Sequence, residues 1–238
     1  MLVAGFASAA FGTNVYVVAP AAGEQCIVVD PGIEVADGVD AILREHRLEP
    51  VAVILTHGHL DHTFSVVPVG SARGLPAYIH SGDRELLADP MKGLSPESRS
   101  MFGGRLTWVE PDDVRLIGEA PLELAGLTIE VEHAPGHTPG SVMFRLPGAP
   151  DHASGLDGEP SETLLSGDVL FAGSIGRTDL PGGSYDQMIK SLAEKVLPLA
   201  DDVLVLPGHG EATTIGRERV ANPFLAELAP LTNRGTGL

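Results

Sequence analysis

Cysteine is nearly absent from this chain. Cys26 is the only one in 238 residues. No intramolecular disulfide can form, and a thiolate zinc site, which needs several cysteines, is excluded. In Gln25-Cys26-Ile27-Val28-Val29 the thiol is expected to pack as a small hydrophobe in a strand. A chain without disulfides suits a reducing compartment, so a cytoplasmic location is expected. Basic residues are scarce too: 15 Lys and Arg face 32 Asp and Glu, a formal net charge of −17. Binding nucleic acid requires clustered Lys and Arg that release counterions, so no nucleic-acid partner is expected. The same deficit argues against an acidic membrane surface. Residues 1–23 carry no charge, and no Lys or Arg precedes Arg44, so the positive start of a secretory leader is missing. Gly12, Thr13, Asn14 and Pro20 break up what would otherwise be an apolar span of membrane length. Asn14-Val15-Tyr16-Val17-Val18 reads instead as a β-strand, the first of the domain.

Hydrophobic residues make up 43% of the chain, enough to fill a sizeable core, and residues 1–238 are expected to form one domain. Strands are predicted at Val15–Val18, Gln25–Asp30, Val51–Leu55 and Ala77–His80. Val39, Ile42, Leu43 and His46 keep the spacing of an amphipathic helix, and a second helix is predicted from a Ser81 cap through Leu87. Residues 90–113, rich in Pro, Gly, Ser and Met and containing Trp108, read as a long surface excursion. Strands return at Leu122–Leu124 and Leu127–Val131, joined by Ala125-Gly126 as a hairpin, then at Val142–Leu146. A Pro/Gly/Asp-rich loop over 147–162 precedes the strand Thr163–Ser166. Ser184-Tyr185-Asp186-Gln187 fits a capping box ahead of the apolar face Met188, Ile189, Leu192, Val196, and Asp202–Leu206 is the last strand. The pattern is α/β, in two successive halves that each pack a sheet with helices outside.

Against this background histidine is concentrated. Three of the nine lie in Thr56-His57-Gly58-His59-Leu60-Asp61-His62, directly after the apolar run Val51-Ala52-Val53-Ile54-Leu55. Such a run predicts a strand buried on both faces, and polar groups just beyond its end are held rigidly. Imidazole and carboxylate are both accepted metal ligands. One tetrahedral ion cannot easily take His57, His59, Asp61 and His62 from six consecutive residues, whereas two adjacent ions can. His137, Asp168 and His209 also follow strands or tight turns, each beside glycine or proline. Singly they are weak signals; in this order, at strand ends, they join the cluster. His46, His80, His133 and His152 are assigned no chemistry.

These motifs closely resemble the metallo-β-lactamase fold superfamily. His57-Gly58-His59-Leu60-Asp61-His62, Gly136-His137-Thr138-Pro139-Gly140, Gly167-Asp168 and Gly208-His209-Gly210 stand in the family's order and span most of the chain. The resemblance implies a four-layer αββα sandwich with the site at one edge between the sheets. It implies that His57, His59 and His137 hold one divalent metal ion and that Asp61, His62 and His209 hold a second. Asp168 bridges the two, and Asp30 of Asp30-Pro31-Gly32 backs the metal loop. Asp61 and Asp168 are also the candidate catalytic residues. Zinc is the expected metal, with iron or manganese as alternatives.

Such a site leaves room for water or substrate on each ion and makes a hydroxide available near neutral pH, since metal lowers the pKa of bound water from about 15.7 to about 7. Within the superfamily the short bacterial glyoxalase II branch is the most similar, through Phe171–Asp179, Gly216-Arg217-Glu218-Arg219 and Asn222-Pro223-Phe224. The expected activity is hydrolysis of a small-molecule thioester such as S-lactoylglutathione. Longer glyoxalase II enzymes add a C-terminal helical domain that holds glutathione; the 29 residues after His209 are too few for one. They also use Lys and Tyr where this chain has Arg177 and Asp179, so Arg177 is the candidate substrate contact. A mononuclear-iron persulfide dioxygenase also carries Gly-Arg-Thr-Asp, matching Gly176–Asp179, and a lactonase could use the same ligands; both stay open as alternatives.

Overall fold

A computed structural model describes residues 1–102, 108–151 and 160–232. The first half forms a six-stranded sheet in chain order: β1 (Leu2–Ala7), β2 (Asn14–Ala19), β3 (Gln25–Val29), β4 (Glu49–Ile54), β5 (Ala77–His80) and β6 (Val114–Ile117). β1 to β3 pair antiparallel and β3 to β6 parallel, with helix Ala36–His46 crossing from β3 to β4. The second half begins with β7 (Leu122–Leu124), β8 (Leu127–His133), β9 (Val142–Pro147) and β10 (Glu162–Gly167). A small hairpin of β11 (Leu170–Phe171) and β12 (Ser174–Ile175) follows, then β13 (Leu204–Pro207) and β14 (Thr213–Thr214). The second sheet runs β14-β13-β10-β9-β8-β7.

Three apolar clusters glue these layers together. Val18, Ile27, Ala52, Ile54, Val131 and Phe144 fill the space between the two sheets. Val39, Leu43, Val53, Leu55 and Val69 lie between the first sheet and its helices. Met143, Leu164, Met188, Leu192, Val205 and Leu225 do the same behind the second. Three interfaces make four layers, helix-sheet-sheet-helix, as the resemblance implies. The structure shows why the run Val51–Leu55 is uniformly apolar: Ala52 and Ile54 face one cluster, Val53 and Leu55 the other, and all four are fully buried.

Several expectations need correction. Asn14–Ala19 is the second strand, because Leu2–Ala7 precedes it. The earlier segment hides in the sequence because it is small and unalternating. Gly5 must be small there: a Cβ would stand 2.6 Å from the Val15 carbonyl oxygen. Ser81 does not cap a helix. A short 3-10 turn spans Ser81–Asp83, the His80 ring accepts from Gly82 N–H, and the α-helix runs from Arg84 to Ala88. The capping box at Ser184 is half formed: its hydroxyl accepts from Gln187 N–H, while its own N–H donates to Gly136. The stretch 90–113 is not a plain loop, since Pro90–Gly93 is a 3-10 turn and Pro96–Phe102 a helix. Trp108 packs on the first sheet's outer core and donates from Nε1 to the Leu87 carbonyl. Residues 103–107 and 152–159, including His152, lie outside the described residues. No helix among the described residues is long and apolar enough to cross a membrane.

The two sheets are stitched at one end. Asn14 N–H donates to Gly208, Val142 N–H donates to Thr56, and Thr13 bridges His209. The C-terminal ends of β3, β4, β10 and β13 therefore converge, and they deliver Asp30, Thr56-His57, Asp168 and His209 to one place. Open α/β sheets place their ligand sites at such strand ends.

Candidate metal centre

All seven predicted ligand residues meet at this junction. His57, His59 and His137 form one group whose ligand atoms lie within 4.8 Å of one another; Asp61, His62 and His209 form another, and His57, His62 and Asp168 a third. His59 Nδ1 faces His137 Nε2 at 2.8 Å, and His62 Nε2 faces His209 Nε2 at 3.2 Å. Asp168 reaches both sides. Its Oδ1 is 3.3 Å from His62 Nε2, and its Oδ2 is 3.4 Å from His137 Nε2 and 3.5 Å from His209 Nε2. Gly208 makes room for that carboxylate, because a Cβ there would fall 2.3 Å from Asp168 Oδ1.

The outer hydrogen bonds decide which ring nitrogen is free. His137 Nδ1 donates to the Arg177 carbonyl at 2.7 Å, and His209 Nδ1 to the Phe11 carbonyl at 3.2 Å. His62 Nδ1 donates to Asp30 Oδ2 at 3.0 Å. The Thr56 hydroxyl gives its proton to Asp30 Oδ2 at 2.6 Å, so its oxygen accepts from His57 Nδ1 at 3.1 Å. In each of the four, Nδ1 carries the proton and Nε2 presents a lone pair to the centre. Asp30 thus touches both His62 and, through Thr56, His57; it also accepts from Thr56 N–H.

The donor set fits divalent cations. His57 Nε2 and Asp168 Oδ1 are buried without any hydrogen-bond partner among the described residues, a costly state unless something else binds them. Burial, together with its imidazole neighbours, holds His57 neutral, and in the same way pushes His59 down to about 3. Burial opposes charge at Asp61 and Asp168 also, but the surrounding histidines outweigh it and keep both carboxylates ionised. Neutral imidazoles and ionised carboxylates are the forms that ligate.

His62 and His209 differ. Burial acts against their charge, yet Asp168, Asp61 and Asp30 at His62, and Asp61 and Asp168 at His209, raise both above the ordinary value. Proton and cation compete for the same Nε2 lone pair. Metal uptake by the metal-free protein at neutral pH is therefore expected to release protons, and its apparent affinity to rise with pH. Calorimetry in two buffers of different ionisation enthalpy measures this, and uptake with no proton release would contradict it.

Two supporting residues escaped the sequence reading. Thr56 passes for a strand-end residue, and Asp83 for part of a capped helix. Asp83 is fully buried and accepts from Gly58 N–H at 2.8 Å, Thr138 Oγ1 at 2.6 Å and Gly140 N–H at 2.7 Å. It ties the backbone between His57 and His59 to the turn that carries His137. The available signal was a carboxylate just past the end of β5, the same pattern that marks the histidines after β4.

The centre forms the floor of a cavity of about 450 Å³. Arg177 lines it, as do Gly93, Leu94, Ser95 and Ser98 from the 90–113 stretch; Trp108 does not.

The family model described as the metallo-beta-lactamase superfamily matches residues 9–209. The chain belongs to this superfamily. Most superfamily members are metal-dependent hydrolases, and with this His/Asp cluster the membership implies divalent metal ions. Its relatives include an uncharacterised Mycobacterium tuberculosis protein, 40% identical over 96% of this chain and 100% of the relative. A Haemophilus influenzae hydroxyacylglutathione hydrolase, GloC, is 36% identical over 83% of this chain and 86% of its own. Among superfamily structures, the BLEG-1 B3 metallo-beta-lactamase superposes with a TM-score of 0.79 at 35% identity, covering 94% of this chain and 99% of that one. A protein crystallised in a di-iron-bound form superposes at 0.73 with 34% identity, covering 93% and 100%.

Proposed function

We propose that this chain is a dinuclear metal-dependent thioester hydrolase acting on 2-hydroxyacyl thioesters of small thiols. His57, His59 and His137 hold one ion, Asp61, His62 and His209 the other, and Asp168 is shared. The observation that carries the reading is the convergence of two ligand groups on Asp168 beneath a substrate-sized cleft. The similarity to the Haemophilus influenzae hydrolase supports the choice of substrate class. The ions, when bound, supply a water made acidic near neutral pH and a Lewis acid for the thioester carbonyl.

The chain's own residues do the rest. The apolar wall of the cleft, including Leu94, Phe171 and Ile175, positions the acyl thioester and excludes bulk water. Asp61 and Asp168 border the cleft as ionised carboxylates, placed to take a proton from the attacking water. Water adds to the carbonyl carbon, the C–S bond breaks, and the sulfur leaves with the bonding pair. A thiol pKa near 8.5 lets the thiolate depart with little protonation, so no dedicated general acid is needed. Among the described residues lining the cleft, none is a Lys, Tyr or Cys that would play that part.

Zinc is the proposed metal. Protein loaded in turn with zinc, iron and manganese is expected to bind two equivalents and to release thiol from S-lactoylglutathione or a related lactoyl thioester without consuming oxygen. Two bound equivalents with no thiol release across a thioester panel would sink the reading. Oxygen uptake with one bound iron would favour persulfide oxidation.

A further inference from the structure

Three features shape the cleft away from its metal-centre floor. Its wall away from the metal-centre residues is largely apolar, with Phe11, Ile33, Leu94, Phe171, Ile175 and Leu180 exposed to it. Among its described lining residues Arg177 is the one side chain other than histidine that can be cationic, and it is already engaged: Nε and Nη2 donate to Asp179 Oδ1 and Oδ2, both at 2.7 Å. The backbone of that pair is anchored, because the Arg177 carbonyl accepts from His137 Nδ1. The whole chain, finally, carries a net charge of −17.

Given the thioesterase reading above, on which this inference rests, we propose that the substrate's thiol carrier is neutral and bears no free carboxylate. A carboxylate arriving at the rim can form a bidentate pair with Arg177 through Nε and Nη2 only by displacing Asp179, and at Nη1 it would stand beside the Asp179 carboxylate. The exchange replaces one bidentate carboxylate pair by another and leaves Asp179 unpaired beside an incoming anion. A neutral carrier leaves the pair intact and still finds polar partners: Arg177 Nη1 is not used by Asp179, and Ser95 and Ser98 line the cleft. Its apolar parts gain from the wall. The negative field of the chain acts in the same direction at longer range.

The test compares lactoyl thioesters of N-acetylcysteine and of N-acetylcysteine methylamide, which differ by one carboxylate, with S-lactoylglutathione as a third substrate. The zinc-loaded enzyme is expected to show kcat/KM about tenfold or more higher for the methylamide than for either acid, with the gap shrinking at high salt. Asp179→Asn, which frees Arg177, is expected to narrow the ratio by raising the acids. Equal or faster turnover of the acids by the unaltered enzyme would overturn the proposal, as would a ratio indifferent to Asp179→Asn. Failure to hydrolyse any of the three is a different result and removes the thioesterase reading itself.

Discussion

Asp168→Ala is expected to lose metal from both halves of the centre together and to lose at least about 100-fold in thioester hydrolysis, the upper end of what even an outer partner of a metal ligand costs. The reason is position. Among the described residues Asp168 is the one carboxylate within 3.5 Å of His62, His137 and His209 at once. Each histidine group without it keeps three side chains, but the negative charge between the two ions is gone. Two divalent cations would then face one another across neutral imidazoles and the single carboxylate of Asp61. The fold is not expected to collapse, because the Asp168 side chain supports no core cluster. Metal analysis after dialysis, thiol release and thermal melting of the metal-free protein measure these separately. Full activity at unchanged metal content would refute the bridging role. Equal loss of melting temperature in the metal-free variant would move the effect from metal to fold.

Asp83→Asn is expected to weaken one ion selectively. The carboxylate accepts three hydrogen bonds in a fully buried position. An amide offers one oxygen. Whichever way it turns, its NH2 group faces either Gly58 N–H or Gly140 N–H, donor against donor. An unsatisfied buried donor costs about 1–3 kcal/mol. The strain falls on the loop between His57 and His59 and on the His137 turn, not on Asp61, His62 or His209. Affinity at the His57–His59–His137 site is expected to fall by on the order of 10–100-fold, with the second site retained. A metal titration then shows two classes of site where the unaltered protein shows two tight ions. Parallel weakening of both would mean that Asp83 serves the fold generally.

Much of this centre was legible in the chain because strands expose their logic locally. A run as apolar as Val51–Leu55 has one explanation, burial on both faces, and whatever follows it is pinned. The histidines after β4 were therefore readable as a cluster, and the resemblance extended the set to His137, Asp168 and His209. The hairpin at Ala125-Gly126 was readable for a similar reason: both residues adopt positive φ, 54° and 72°, as a two-residue turn requires. β1 was not legible, because Gly5 is small to clear the β2 backbone beside it and Leu2–Ala7 carries no period of its own. Arg177 was identified, but its partnership with Asp179 was not, and that pairing changes what the side chain can offer a substrate.

By itself the sequence determined the residue types: imidazoles and carboxylates at strand ends, glycine where the backbone must turn, and one cysteine too few for any thiolate site. Tertiary structure decided which atoms of those residues count. His59 and His137 are 78 positions apart in the chain and 2.8 Å apart between ring nitrogens. The tautomers of His62, His137 and His209 follow from Asp30 and two carbonyls, of Arg177 and Phe11, brought in from other segments, and that of His57 from its neighbour Thr56, whose hydroxyl Asp30 orients. Hydrogen bonds of this kind are short-ranged and directional, so no spacing along the chain encodes them. They exist only once the two sheets have packed face to face and been joined at one end.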